Sequence, residues 1–356
     1  MKTSTLLTSF QAAPLGLALT LAATPNASAQ NYHYSRVGPV GTLTSRPIDI
    51  NTAGTIIGSI RPPAPGLNFT FVKHRGGDFA PFTIPGTRSV GLNSINSQGT
   101  VVGSLTDLNR TSHTFIANDD GSGVRILPLI DGVRLAPSGI SGNGQVFGSI
   151  TLRDPQTSQA LSGLGVIMDT LHGDEVTYVG FPDPGLPFTS VISGNNRGMA
   201  TGYARDAEFD EYAYFTAWRG SFADVEFPDS IFTDVSDINN QGDVLGYFVS
   251  GEDGKFHPFI RSQNGKVVEL DSSAIAAQVL LENPPTIVRG TTTFYRADSA
   301  IMMLPTGMND RGDVVGLCGV GYSHLQNPFP LDPTNPPMFW TFGTSRGFLA
   351  EKAGRD

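Results

Sequence analysis

Apolar and polar positions alternate along this chain in short runs, and the runs recur. Ile95-Asn96-Ser97-Gln98-Gly99-Thr100-Val101-Val102-Gly103 reads as an apolar residue, Asn, two polar residues, Gly, then a β-branched run closed by a second Gly. The same form stands at residues 50–58, 140–148, 238–246 and 308–316, with a degenerate copy at 194–202. The first glycines fall at 54, 99, 144, 198, 242 and 312, so the spacings are 45, 45, 54, 44 and 70. Three of the five agree within one residue, which marks a repeat protein with a unit of about 44 residues.

Each copy predicts a hairpin. An Asn at the first turn position can bond its side chain to the backbone two residues on, and a Gly three residues later can take the positive φ that ends the turn. The second glycine lies inside a β-branched run, where a missing side chain marks a bulge or a close approach of another backbone. An aromatic strand signal follows, as in Phe69-Thr70-Phe71-Val72, His113-Thr114-Phe115-Ile116, Tyr214-Phe215-Thr216-Ala217-Trp218, His257-Pro258-Phe259-Ile260 and Met338-Phe339-Trp340-Thr341-Phe342. A further strand follows a turn glycine, as in Gly265-Lys266-Val267-Val268-Glu269-Leu270. Four strands in about 44 residues is the size of one propeller blade. The expected fold is all-β, a β-propeller of about six blades, with five or seven as alternatives. Tyr34-Ser35-Arg36-Val37-Gly38-Pro39-Val40 is a lone strand with no unit of its own, and in a closed propeller such a strand completes the last blade.

Ile-Asn-x-x-Gly-x-Val-Val-Gly followed by His-x-Phe, as in His113-Thr114-Phe115 and His257-Pro258-Phe259, resembles the bacterial extracellular repeats of the HAF family. The resemblance covers nearly all of the chain after its first 29 residues and includes a closing unit running from Val267-Val268-Glu269-Leu270-Asp271 to Met308-Asn309-Asp310-Arg311-Gly312. It implies an exported β-rich repeat protein and transfers no catalytic residues.

Composition narrows the class. Lys2, the apolar run 14–23 and Ala27-Ser28-Ala29 read as a secretory signal peptide over residues 1–29, which leaves residues 30–356 as one propeller domain. The expected location is secreted or periplasmic. No later segment approaches 18 apolar residues, so no membrane span is expected. With 23 basic against 32 acidic residues the net charge is −9, which argues against nucleic acid as a partner. Cys318 is the one cysteine and excludes an internal disulfide; its place in a strand copy marks a buried small hydrophobe.

Function is expected where the period breaks, because insertions in a propeller map to loops on its faces. About ten extra residues precede the fourth copy, within 154–165 or around 181–185. The largest excess, before the last copy, predicts a helix over 272–282, capped by Asp271 and stopped by Asn283-Pro284-Pro285, in an insertion near 271–300. A Pro-rich loop spans 327–337. Arg289, Tyr295, Arg296 and Asp298 in the insertion, with His172 and His324, are the candidate catalytic residues: Arg forks hold carboxylates, and Tyr, Asp and His move protons. Anchoring of the loop by ion pairs is the alternative role. Asp206, Glu208 and Asp210 form an acidic cluster able to offer oxygen ligands to a hard cation, although a solvated loop suits their spacing better. His113 and His257 recur at one repeat position and are read as structural. No nucleophile elbow, phosphate loop or cysteine cluster appears, and no cofactor is expected. Two functions remain. One is a monomeric exported interaction module binding a glycan, polymer or protein, with Trp218 and Trp340 as exposed aromatics. The other is an extracellular polymer hydrolase or lyase with its site at the channel mouth near 271–300.

Overall fold

The computed structural model describes residues 32–39, 44–61, 69–154, 156–208, 212–218, 221–227, 229–271, 286–289, 292–323, 341–342 and 345–353. Residues 1–31, the helix expected at 272–282, the Pro-rich loop 327–337, His324, Asp210 and Trp340 lie outside the described residues, as does the side chain of Trp218.

The described residues are all β and arrange as antiparallel meanders of four strands. The first runs Thr44–Ile50, Ile56–Arg61, Phe69–Lys73 and Ala80–Pro81. The second runs Thr87–Ile95, Thr100–Asp107, Ser112–Asn118 and Arg125–Ile126. The third begins at Ala136–Ile140 and the fourth at Phe188–Gly194; a single parallel pair, Gly163 with Phe188, joins them into one eight-stranded sheet. The fifth begins at Ser230–Ile238. The sixth begins on the long strand Thr292–Met308, continues through Val314–Ser323 and Arg346–Lys352, and takes its outermost strand, Tyr32–Val37, from the other end of the chain. The first strand of every meander touches the first strand of the next, and that of the sixth touches that of the first. This is a β-propeller arrangement, with the inner strands around an axis.

The core follows from that geometry. The apolar residues gather in six clusters, one in each gap between neighbouring meanders, such as Ile57, Leu92, Val101 and Phe115 between the first and second, or Leu245, Met303, Met308 and Phe348 between the fifth and sixth. Each blade therefore buries both faces, as a repeat that cannot cover its own apolar surface must.

The second glycine of each copy explains the blade's section. Gly58, Gly103, Gly202, Gly246 and Gly316 each pair across strands with a fully buried phenylalanine: Phe71, Phe115, Phe215, Phe259 and Phe348. On their other side the inner strand bulges, and its carbonyl (Arg46, Gly91, Ser190, Asp234, Leu304) occupies the place of a Cβ. In the third meander Gly148 meets the Ala136 carbonyl in the same way but pairs with Val166.

The strand pairing corrects one expectation. The third strand of the last meander is Arg346–Lys352, whose Phe348 fills the recurring niche beside Gly316; of the aromatic run at 338–342, Thr341–Phe342 is a short strand beside the far end of Val314–Ser323. The matching signal was the Gly-Phe-Leu of 347–349, which lacks the His of the other copies. The helix expected at 272–282 lies outside the described residues; further along the 271–300 insertion, Thr286–Arg289 pairs with residues 292–295 as a β-hairpin.

Gly246→Ala would force a methyl against the Asp234 carbonyl and the Phe259 ring, and is expected to cost about 1–3 kcal/mol in urea unfolding. Gly180→Ala, in open space, should stay within about 0.5 kcal/mol of the parent.

Candidate functional site

The Asn-x-x-Gly turns of all meanders lie at one end of the propeller, around the axis, and together form a polar cup. Within each turn the first glycine takes positive φ, from 72° at Gly144 to 86° at Gly54, and its N–H bonds back to the residue at the Asn position. The Asn carboxamide oxygen accepts the N–H groups that close the loop, as Asn96 Oδ1 does from Gln98 at 3.1 Å and from Thr100 at 2.8 Å. The carboxamide nitrogen then reaches to the next meander. Asn51 Nδ2 donates to the Asn96 carbonyl (3.1 Å), Asn96 to Ser141 (3.0 Å), Asn195 to Asn239 (2.9 Å) and Asn309 to Asn51 (3.1 Å).

Where that step is missing, the following residues replace it. Ser141 is too short, and Asn143 Nδ2 donates to the Asn196 carbonyl at 2.8 Å. Asn239 turns its nitrogen to Asp243, and the fifth and sixth turns are joined by Asn240, whose N–H and carboxamide both donate to Asp310 at 2.9 and 2.8 Å.

The floor of the cup holds two carboxylates. Asp49 stands two residues before Asn51 and accepts from Ile50 N (2.7 Å), Ser94 Oγ (2.6 Å) and Ile95 N (2.9 Å). Asp237, two residues before Asn239, accepts from Ser193 Oγ (2.6 Å), Ile238 N (2.8 Å) and Met308 N (2.7 Å). The equivalent positions are Ser94, Gly139, Ser193 and Gly307, so each carboxylate is accommodated by small neighbours; a Cβ at Gly307 would lie 2.6 Å from Asp49 Oδ1. Burial, with Asp237 close by, pushes Asp49 up to about 8, against the pull of its three donors. Asp237 is raised as well, again by burial first. Neither residue was singled out in the sequence, although the shared Asp-Ile-Asn triplets at 49–51 and 237–239 carried the signal.

The residues singled out from the sequence lie elsewhere. Tyr295 pairs with Thr286 and Ser323, and Arg296 with Tyr322, at the far end of the strand from the Asn309 turn. Nine residues separate Val314 from Ser323 on the neighbouring strand, a distance of about 30 Å at about 3.3 Å per residue. Arg289 ends the paired strand and Asp298 sits in the irregular stretch between Arg296 and Ile301; the side chains of Arg289, Arg296 and Asp298 lie outside the described residues. His172 is at the opposite end, in the turn after Asp169, where its Nδ1 lies 2.9 Å from Asp169 Oδ2 and the ring is 74% exposed. His172 thus stands at the cup end of the propeller but outside the cup lining, and Tyr295 at the other end. Asp206 and Glu208 are in the hairpin between Met199–Arg205 and Tyr212–Trp218, also at the end remote from the cup.

The repeat histidines have a local task. His113 Nε2 meets Asp107 at 3.1 Å, across the hairpin that Asp107 closes through Thr111 N. His257 sits between Glu269 (3.1 Å) and Asp253 (3.2 Å) and stacks on Phe248 at 4.8 Å; the Glu269 contact chiefly raises its pKa. Burial pushes the Cys318 thiol up to about 12, in keeping with an inert core residue. Among the described residues no group of three or more His, Cys, Asp or Glu side chains could hold a metal ion, and no helix is long and apolar enough to cross a membrane.

No family model and no curated protein matches the chain. Among solved structures, it is similar to a prolyl endopeptidase (10% identity, 91% of this chain and 43% of that chain, TM-score 0.42) and to TolB from Acinetobacter baumannii (11%, 87% and 64%, 0.38). It is also similar to the β-propeller domain of the Trilobed protease from Pyrococcus furiosus (10%, 78% and 95%, 0.41), described as having an open velcro topology. The chain spans less than two thirds of the first two proteins, and likeness at this level says nothing of activity.

Asn96→Ala removes a turn closure and a step between meanders and should cost about 2–4 kcal/mol in denaturant unfolding; Asn96→Ser, which keeps an acceptor for the turn as Ser141 does at 3.2 Å to Gln145 N, should cost less. The raised Asp49 has a pH signature. A carboxyl whose folded pKa lies above its unfolded 3.8 contributes stability that is full below 3.8 and is lost as pH rises to about 8. Unfolding free energy should therefore decline across pH 4–8, and Asp49→Asn should flatten that slope.

Proposed function

We propose that the protein is an exported, monomeric glycan-binding module of the HAF-repeat kind, built as one six-bladed propeller, with the axial cup as its recognition surface. The observation that supports this reading is the asymmetry of the cup rim. On one side the residue after each Asn position is small (Thr52, Ser97, Gly142), and on the other it is a longer side chain locked to its neighbour (Asn196, Asn240, Asp310). The rim therefore carries small side chains over the first three blades and longer, hydrogen-bonded ones over the last three. A rigid rim of carboxamides and hydroxyls suits a ligand rich in hydroxyl groups, because its hydrogen-bonding groups are ordered before binding. The axial carboxylates support recognition over catalysis, since each is already held by three donors from the protein.

A polymer-cleaving enzyme is the second reading, and one cluster favours it. Burial raises Asp234 to about 6, and Tyr247 hydrogen-bonds it. Phe232, 37% exposed, lies beside them, with ring centroids 6.0 Å from Tyr247 and 5.7 Å from Tyr214. An acid with a pKa near neutrality beside an aromatic platform is what cleavage of a glycan chain would use.

Binding of the purified protein to a panel of soluble polysaccharides, read together with the release of new reducing or unsaturated ends, separates the two. The expected result is saturable binding without product, lost about tenfold or more in Ser97→Trp, which places a bulky ring on the small-residue side of the rim at an exposed position. Product release that survives Ser97→Trp and disappears in Asp234→Asn would replace this reading with the second.

A further inference from the structure

The gap between the fifth and sixth blades opens on the same end as the cup. Its floor is apolar, formed by Ile260, Val268 and Met308. Its walls are polar: Ser262 and Lys266 from the loop that leaves the third strand of the fifth blade, Asp243 from the fifth turn, and Gly312 with Lys352 from the sixth blade. The cavity measures about 190 Å³ and continues past Asp243 into a shallow opening lined by Gln263 and Asn264. Drug-sized ligands occupy about 300–1,000 Å³, so this cleft takes something the size of a single sugar ring.

The charges in the cleft run against the rest of the molecule. The protein carries −9 overall, whereas the cleft holds Lys266, Lys352 and Asp243, two positive groups against one negative, or +1. The nearby acids are engaged elsewhere. Asp313 is taken by Arg311, at 2.8 Å, and by Asn309, Asp310 by Asn240, and Glu269 by His257. Among the described residues neither lysine ammonium makes an ion pair, although Lys352 is half-buried with its side chain laid over Gly312. Asp243 uses one oxygen, which accepts from Asn239 Nδ2 at 3.3 Å, and keeps the other.

We propose that this cleft is a binding site for a carboxylated sugar residue of the uronic acid class. The two ammonium groups receive the carboxylate, the free oxygen of Asp243 and the Ser262 hydroxyl take ring hydroxyls, and the C–H face of the ring rests on Met308, Ile260 and Val268. An anion alone would leave Asp243 and the apolar floor without a use, and a neutral sugar would leave both ammonium groups unpaired. Met308 also lines the axial cup, so the two sites adjoin and an acidic oligosaccharide can occupy both. The ligand class follows the glycan reading of the cup, but the cleft residues are distinct from the rim residues.

Titration of the intact protein with D-glucuronate, D-glucose and acetate, followed by NMR shifts, tests the site. The expected result is saturable glucuronate binding, with glucose and acetate each weaker by about tenfold or more, and a loss of about tenfold or more in Lys352→Gln and in Lys266→Gln. Lys266 is exposed, so that variant keeps the test open should Lys352→Gln fold poorly. Ser97→Trp should leave glucuronate binding unchanged, which separates failure of the cup from failure of the cleft. Equal binding of acetate or glucose, unchanged affinity in the folded lysine variants, or no saturable glucuronate binding overturns the proposal.

Discussion

The step from one blade to the next depends on a single carboxamide. Its oxygen closes the turn and its nitrogen donates to the backbone of the neighbouring turn, so one side chain fixes both the hairpin and the place of the next hairpin. An Asp could close the turn but has no donor, and a Ser cannot span the gap. The two departures show how narrow that requirement is. At Ser141 the donor moves two residues on, to Asn143; at Asn239 it moves one residue on, to Asn240, with Asp310 as acceptor. What persists is a side-chain donor from each turn to the next, whichever residue supplies it and whether the acceptor is a carbonyl or a carboxylate.

That ring brings a second constraint with it. Inner strands converge on the axis, and their bulges turn carbonyls towards the second strand, where only glycine fits. The phenylalanine of the third strand then fills the space that glycine leaves, from the other side. Ring closure, bulge, glycine and aromatic are therefore one linked set, and each gap between blades inherits its own small core in place of a single large one. The outermost strand of the last blade comes from residues 32–37, paired over six residues with 347–352, so chain ends far apart in sequence share one sheet.

Most of this architecture was legible in the sequence because it repeats. The turn, the positive φ of its glycine and the niche glycine all have a residue type as their cause, and six copies expose it; the strand that completes the last blade stood out as the one without a unit. The site was harder to read for a physical reason. Asp49 and Asp237 act at a position that is Ser or Gly in the other units, so they pass as variation within a repeat. Lys266 and Lys352 come from different blades, 86 residues apart, and no local pattern links them. Arg289, Tyr295 and Arg296 were prominent because they break the period, yet a break in period reports added length, not the end of the propeller on which the addition stands. The strand pairing decides that, and it carries Tyr295 away from the cup.

The buried carboxylates of the floor show why a polar axis need not be a catalytic one. Burial is the first cause of the raised pKa of both carboxyls, and a neighbouring acid adds to it, Asp237 at Asp49 and Asp310 at Asp237. The six donors that hold them are backbone N–H groups and serine hydroxyls, two from the same strand and four from adjoining blades, so the two carboxyls are tied to five inner strands: Asp49 binds the first to the second, and Asp237 binds the fifth to the fourth and the sixth. A general acid must release its proton to a substrate, and a nucleophile must leave its donors; either change would loosen the contacts between those strands. Among the described residues, Ser97 at the rim and Lys266 in the cleft between the last two blades are exposed, so contact with a ligand there would disturb no blade contact.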